Sequence, residues 1–216
     1  GYHFDIGAGV TASLSHLTLI GGTNGSTGAI ANQGTLTLDS LTIRNNSGFF
    51  SGAIHNSGNL TVNNSTIDHN TGILSGGIFN SGTLNLTSST ISQNTSNGSG
   101  GGILSDGELS IEGSTITANH SDNNDSGDET GGGIINDAGA FPLHNSIVAG
   151  NFRGSGTTTA DDINGNVAAN YSFIGDTTGA TITGANNLSG NASLGDLADN
   201  GGPTQTHALL AGSTAI

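Results

Sequence analysis

The sequence lacks several residue types: it contains no cysteine, methionine, tryptophan or lysine, and only 2 prolines in 216 residues. Without cysteine, disulfide bonds and thiol chemistry are excluded, although this identifies no cellular compartment. Without methionine, residue 1 is not a translation start, so we expect the chain to be a piece of a longer protein. The lack of lysine, with abundant Gly, Asn, Ser and Thr, favours a secreted or cell-surface location outside the cell.

Positive charge is scarce as well. The 16 acidic residues outnumber the 2 basic residues, Arg44 and Arg153, and the formal net charge is −14. Nucleic acids and anionic membrane surfaces are therefore not expected partners, because both are polyanions. No segment approaches the roughly 20 consecutive apolar residues of a membrane-spanning helix, so we expect no membrane insertion within this chain.

Five segments of the chain repeat one pattern. Each begins with an isoleucine, and these isoleucines are 24, 24, 25 and 31 residues apart. They are Ile30, Ile54, Ile78, Ile103 and Ile134. A regular spacing of this size is typical of a solenoid, in which each repeat forms one turn of a stack.

Within each repeat, apolar and polar residues alternate, as at Leu36 and Leu38 between Thr35, Thr37 and Asp39. Alternation over such short runs indicates strands rather than helices. The sequence therefore predicts an all-β parallel β-helix with about 24 residues per coil, and its length gives about eight or nine coils. We expect regular coils over residues 1–152 and irregular C-terminal coils of the same domain over 153–216.

Two polar columns repeat as regularly as the apolar ones. The first consists of Asn46, Asn70, Asn94, Asn119 and Asn151. The second consists of Asn32, Asn56, Asn80, Ser105 and Asn136. Asparagine tolerates left-handed backbone angles, and stacked amides can bond to one another. We therefore interpret both columns as structural ladders at the corners of the coils.

The repeats, of the type GGGIxNxGTLTLxxSTIxxN, are followed by NSIVAGN at 145–151, SFIGD at 172–176 and LADNGGPTQTHALLAGSTAI at 197–216. Together they resemble the right-handed parallel β-helix proteins of bacterial surfaces that carry polymorphic-outer-membrane-protein-like repeats and varied anchors, the "choice-of-anchor" group. The resemblance implies a large secreted or cell-surface protein in which this region is one module. It supplies no catalytic residues. The chain departs from the family at Ala211 and Thr214, where proline is usual.

The acidic segment at 121–130 is a candidate calcium site. Its oxygen-bearing residues alternate as in the D-x-N-x-S-G calcium loop, and the candidate ligands are Asp122, Asn124, Ser126, Asp128 and Glu129. The closing acid of that motif is replaced by Gly133, and Glu129 is its candidate substitute. Calcium is the one candidate cofactor; the alternative is a solvated acidic loop.

Asp161 and Asp162 are the one candidate catalytic pair, because two carboxylates can act as general acid and base on a glycosidic bond. The stacked positions around them hold Thr, Ser, Gly and Asn rather than further acids and bases. Adjacent residues of a strand also point to opposite faces. We therefore predict that the chain is not an enzyme. The histidines show no spacing typical of a metal motif.

An apolar ridge is predicted at one corner of the solenoid. Phe49 and Phe50 are followed one period later by Ile73 and Leu74, so the four side chains should stack. Contiguous exposed apolar area is typical of a contact site. The alternative is that the four residues fold back over a strand face.

These observations favour a non-enzymatic, extracellular β-solenoid that serves as a structural or adhesive module of a bacterial surface or secreted protein. Its expected partners are protein or glycan surfaces, including further copies of itself. One alternative is a filament subunit that stacks through the open ends of the solenoid. The other is a polysaccharide-active β-helix enzyme.

Overall fold

The computed structural model describes residues 1–124, 130–155 and 159–215, and within them the chain is all-β, with no helix. Strands stack in parallel to form a β-solenoid of about seven coils. Equivalent residues of successive regular coils are 24 or 25 positions apart. The fold class and the coil length predicted from the sequence are confirmed, whereas the expected eight or nine coils are too many.

The strands of the first three coils are short and follow one another through tight corners. The first coil contains β1–β3, at Phe4–Ile6, Thr11–Ser15 and Thr18–Ile20. The second contains β4–β7, at Ile30–Asn32, Thr35–Asp39, Thr42–Arg44 and Ser47–Gly48. The third contains β8–β11, at Ile54–Asn56, Asn59–Asn63, Thr66–Asp68 and Thr71–Gly72.

The next two coils repeat the same four strands. The fourth coil contains β12–β15, at Ile78–Asn80, Thr83–Thr87, Thr90–Ser92 and Thr95–Ser96. The fifth contains β16–β19, at Ile103–Ser105, Glu108–Glu112, Thr115–Thr117 and His120–Ser121.

Later strands are less regular. The sixth coil contains β20–β22, at Ile134–His144, Ile147–Val148 and Phe152–Arg153, followed by β23 at Thr159–Ala160. The seventh contains β24 and β25, at Ile163–Asn170 and Phe173–Ile174. The last strands are β26–β28, at Ala180–Thr183, Leu194–Ala198 and Thr206–Leu209.

Three parallel sheets run along the solenoid. The first two strands of each coil belong to a sheet of 13 strands, because the long β20 passes through both positions and joins them. The third strands form a sheet of 7, and the fourth strands one of 6, in which the last strand, β23, pairs with β22 antiparallel. Pairing is in register, so Ile54 pairs with Ile30 on one side and with Ile78 on the other.

The core is a set of vertical apolar columns. Isoleucines at the start of each coil stack from Ile30 to Ile163, and all of them are fully buried. At the N-terminal end the columns are open, because Ala12 and Leu14 are only partly buried, whereas Leu36 and Leu38 above them are buried. The structure thus shows no cap over the first coil among the described residues.

The C-terminal segment leaves the stack, which explains the smaller number of coils. After β26, strands β27 and β28 pair in an antiparallel hairpin. The hairpin lies against the outer face of the seven-stranded sheet, where Thr66 Oγ1 donates a hydrogen bond to the Gln205 carbonyl at 2.7 Å. Thr204 Oγ1 donates in turn to the Asn64 carbonyl at 3.0 Å. The hairpin therefore reaches back to the third coil along the side of the solenoid.

In the described part of the chain there is no helix with the length and apolarity needed to cross a membrane.

Polar ladders and candidate functional surfaces

The first asparagine column forms a continuous ladder of hydrogen bonds. Asn46 donates from its backbone N–H and from Nδ2 to Oδ1 of Asn70, at 3.0 and 2.9 Å. Asn70 donates to Asn94 in the same way, and the pattern repeats through Asn119 and Asn151. Each side chain is buried. The amide suits this role because it accepts from one coil and donates to the next.

The second column is a ladder with one break. Nδ2 of Asn32 donates to Oδ1 of Asn56 at 2.7 Å, and Asn56 donates to Asn80 at the same distance. Asn80 then donates to the hydroxyl of Ser105 at 3.0 Å. The Ser105 hydroxyl donates to the Gly107 carbonyl instead of the next coil. The predicted bonding is therefore confirmed for the first column and, from Asn32 to Ser105, for the second, whereas Asn136 receives no hydrogen bond from the ladder.

The backbone explanation of these ladders was wrong. None of the ladder asparagines has a positive φ. In the first ladder, the residue just before each asparagine does. These preceding residues are Asn45, His69, Gln93, Ala118 and Gly150, with φ of 53, 54, 55, 55 and 73°. The left-handed corner therefore aims the following side chain into the column, and the asparagine is selected for its amide rather than for its backbone.

A third ladder, of serines, was missed. Each member is a serine just before a strand of the seven-stranded sheet, and the backbone N–H of the first four members donates to the hydroxyl of the member in the next coil at 3.1–3.2 Å. The members are Ser65, Ser89, Ser114, Ser146 and Ser172. The recurrent triplet S-T-I, with its variants S-I-V and S-F-I, was the available signal, but serine also fills ordinary turns.

Asp162 is the last member of the first ladder. Its Oδ1 accepts from the backbone N–H and Nδ2 of Asn151, at 2.9 and 2.8 Å, and its Oδ2 accepts from the N–H of Asp176 at 2.7 Å. Burial raises the pKa of Asp162 to about 6, against these hydrogen bonds, which lower it. A carboxylate fits the end of the column because it accepts without needing an acceptor of its own.

Asp161 has different partners. Its Oδ2 accepts from the N–H of Gly131 at 2.9 Å and lies 3.8 Å from Nε of Arg153. Burial raises the pKa of Asp161, and the Arg153 charge opposes that shift. The two aspartates lie outside the strands, and both are buried. Their carboxylates are thus held by backbone and ladder groups rather than directed together at a shared open site.

The other arginine also belongs to an ion pair. Arg44 Nη2 lies 3.4 Å from Oδ2 of Asp68, which also contacts Nδ1 of His69 at 2.6 Å. Asp68 is fully buried in the third coil, on the same strand as Thr66. Both arginines of the chain therefore lie beside an aspartate.

The candidate calcium segment is described only in part. Asp122 is buried, with its backbone N–H bonded to the Gly98 carbonyl at 2.9 Å, and Asn124 is exposed. Ser126, Asp128 and Glu129 lie outside the described residues. Within 1–124, 130–155 and 159–215, no three His, Asp or Glu side chains are grouped so that they could hold a metal ion. The calcium site stays a prediction.

The predicted ridge divides into an exposed and a half-buried part. Phe49 and Ile73 are 45% and 46% exposed, one coil apart. Phe50 and Leu74 are half-buried. The Phe50 ring lies 5.0 Å from that of His55 and 6.2 Å from that of Phe79. Each alternative therefore describes half of the ridge.

The aromatic cluster beneath the ridge is compact. The rings of His55 and Phe79 stack at 5.1 Å, and Phe49 meets Phe50 edge to face at 5.4 Å. Burial lowers the pKa of His55, so its imidazole is favoured in the neutral form that stacks on phenyl rings. Phe49, one of the two exposed side chains of the ridge, therefore contacts a cluster of stacked rings.

Comparison with protein families, with curated proteins and with solved structures found no match to this chain.

Proposed function

We propose that the chain is a rigid structural module that acts outside the cell and makes contacts through its apolar ridge, as part of a bacterial surface or secreted protein. The observation that carries this proposal is that Phe49 and Ile73 are exposed at equivalent positions of adjacent coils. These coils are joined by the hydrogen bonds of the asparagine ladder. Apolar side chains on a rigid base lose little conformational freedom when a partner covers them.

The remaining polar chemistry supports a structural role. The asparagine and serine ladders use their side chains between coils, and the Asp161–Asp162 pair contacts backbone N–H groups and a ladder amide. We assign no reaction to the chain. The extracellular setting rests on composition, because the chain has no lysine and many Gly, Asn, Ser and Thr residues.

The ridge can be tested with a second copy of the chain as the partner. We expect reversible self-association in sedimentation equilibrium, and we expect the double variant Phe49→Ser, Ile73→Ser to weaken it. The matched control is Leu209→Ser, Leu210→Ser, which removes two other exposed apolar side chains, 40% and 49% exposed. An unchanged β-sheet circular dichroism spectrum shows that each variant is folded. If the chain is monomeric throughout, or if both double variants have the same effect, the ridge is not the contact surface.

A filament subunit is the second candidate, and the open first coil favours it. Strand β2 has no neighbour on its outer side among the described residues, and Ala12 and Leu14 are only partly covered. At the other end, β26 presents Ala180 and Ile182, which are also only partly covered. An unpaired strand edge is a template for another chain.

Electron microscopy of the concentrated chain tests the filament. End-to-end stacking predicts rods longer than a single solenoid, and Ser13→Pro should abolish them by removing a backbone donor from the β2 edge. Rods that persist in Ser13→Pro would contradict stacking through this end.

A further inference from the structure

An open cleft of about 540 Å³ lies on the outer face of the largest sheet, over the fifth coil. Its floor is formed by β13 and β17, including Asn85 and Ser110. Its wall is the segment 138–140 of β20, where the register shifts between Asn136 and Phe141. This segment has one residue more than the equivalent part of other coils, since Asn136 and Phe141 are five positions apart and Asn80 and Leu84 are four.

The cleft is acidic and contains no positive side chain. Asp106 and Glu108 line it, and Asp137 adjoins it. Burial and the charge of Asp137 raise the pKa of Asp106, and no cation acts against this shift. The chain has no lysine, and its two arginines lie beside Asp68 and Asp161 instead.

A buried acceptor in the cleft has no partner. Asn136 lines the cleft and is 3% exposed; its Nδ2 donates to the Gly139 carbonyl at 2.7 Å, but its Oδ1 accepts no hydrogen bond. In the rest of the ladder, Oδ1 faces the preceding coil and accepts from the asparagine there. Here the preceding residue is Ser105, which bonds to Gly107. The Oδ1 of Asn136 therefore lacks the ladder donor that its counterparts have, in a side chain that lines the cleft.

The remaining lining suits a carbon skeleton rather than a bare ion. Ala138, Ala140, Phe141 and Pro142 contribute apolar atoms beside the polar floor. No three acidic or histidine side chains are close enough together to hold a metal ion in the residues that the structure describes. A ligand that matches the cleft carries positive charge, several hydrogen-bond donors and apolar surface.

We propose that this cleft binds an organic ammonium ligand, of the amino-sugar or short-polyamine class, through Asp106, Glu108 and the free Oδ1 of Asn136. The ammonium groups neutralise the two carboxylates, and one N–H donates to the amide oxygen that the ladder leaves unpaired. The methylene or ring carbons of the ligand pack on Ala138 and Pro142. The ridge at Phe49 and Ile73 takes no part in this site.

Calorimetric titration of the folded chain tests the proposal, with spermidine and a glucosamine tetramer as probes at about 0.15 M salt, where long-range attraction to the net charge is screened. The N-acetylated tetramer and calcium chloride are the comparison ligands. Spermidine and the glucosamine tetramer represent the two sources of the ammonium group. Saturable binding of either one supports the proposal and identifies the class.

Three variants separate the cleft from general acidity. Asp106→Asn and Glu108→Gln should each weaken binding about tenfold, because each removes a charged hydrogen-bond acceptor. The matched control, Glu112→Gln, removes an exposed acid of the same strand that does not line the cleft, and should change binding less than twofold. Ser105→Asn should restore the ladder donor to Asn136 and so weaken binding while the protein becomes no less stable.

The results decide the proposal in either direction. Absence of saturable binding by both amines at millimolar concentration would overturn it. So would equal losses in Glu108→Gln and Glu112→Gln, equal affinity for the N-acetylated tetramer, or calcium binding with the same sensitivity to the variants. Unchanged amine affinity in Ser105→Asn would remove Asn136 from the site.

Discussion

The second to sixth coils and the chain that follows them differ in the side chains that connect one coil to the next. In the regular coils each turn adds one asparagine to the first ladder, and the isoleucine that begins each coil is fully buried. After Asn151 the next ladder position is filled by Asp162, and the last core strand leaves Ile182 only partly covered. The final strands then pair in an antiparallel hairpin.

The difference shows how side-chain chemistry determines where a ladder of hydrogen bonds ends. A primary amide both accepts and donates, so an asparagine can always be followed by another. An ionised carboxylate only accepts, so Asp162 satisfies Asn151 but cannot pass a hydrogen bond to a further coil. The aspartate that resembled half of a catalytic pair in the sequence is, in the structure, the end of a column.

Core truncation should distinguish the two regions most strongly. Ile78→Ala, in a fully buried column of the fourth coil, should destabilise the fold by about 2–5 kcal/mol, because it leaves a cavity that stacked neighbours cannot fill. Ile182→Ala, in the partly covered last strand, should cost no more than about half of that. Urea unfolding followed by circular dichroism measures both. Equal losses would mean that the C-terminal coils are packed as tightly as the regular ones.

Breaking the first ladder should have the next largest effect. Asn94→Ala removes the side-chain acceptor of the Asn70 backbone N–H and the Nδ2 donor to the Ile67 carbonyl, both in a buried column, which should cost about 3 kcal/mol. The control is Asn85→Ala, on the exposed face of the same coil, which should change stability by less than about 0.5 kcal/mol. Similar unfolding midpoints for the two variants would show that the ladder adds little to stability.

The end of the ladder should make stability depend on pH. The folded-state pKa of Asp162 is about 6, above its ordinary value of 3.8, so the folded state binds the proton more tightly than the unfolded state. Stability should therefore rise as pH falls through 6, by about 1.4 kcal/mol between pH 7.5 and pH 5 from this group alone.

The same pH comparison in Asp162→Asn isolates this group. Asp161 and Asp106 also have raised pKa values and contribute in the same direction, and both remain in the variant. The difference in unfolding free energy between pH 7.5 and pH 5 should shrink by about 1.4 kcal/mol. A difference as large in the variant as in the unchanged protein would show that Asp162 is not the titrating group.

Much of the regular region could be predicted from the sequence, because stacked coils repeat their residues. Alternation at Leu36 and Leu38 identified the strands, and the recurrence of Asn46 one period later identified a ladder. The serine ladder was missed because Ser65 and its equivalents look like ordinary turn residues. The left-handed backbone was assigned to the ladder asparagines, whereas in the first ladder the positive φ belongs to the residue just before each of them.

The C-terminal region was harder because its contacts are not periodic. Dividing the length by the period assumed that every residue adds to the stack, whereas Thr66 and Gln205 meet across 139 positions of sequence. No repeat predicts such a contact. The role of Asp162 could not be predicted either. Asp162 takes the ladder position above Asn151, but in the sequence it lies just before β24 and not at the repeat position of the ladder asparagines.

Hydrogen exchange of the asparagine side chains tests the central claim most directly, namely that stacked amides hold the regular coils together. The Nδ2 protons of Asn70, Asn94 and Asn119 should exchange slowly in nuclear magnetic resonance spectra, with protection close to that of the core backbone amides, because each donates within a buried column. The exposed Asn85 provides the reference for fast exchange in the same coils. If the ladder amides exchange as fast as Asn85, the claim that stacked amides hold the regular coils together is wrong.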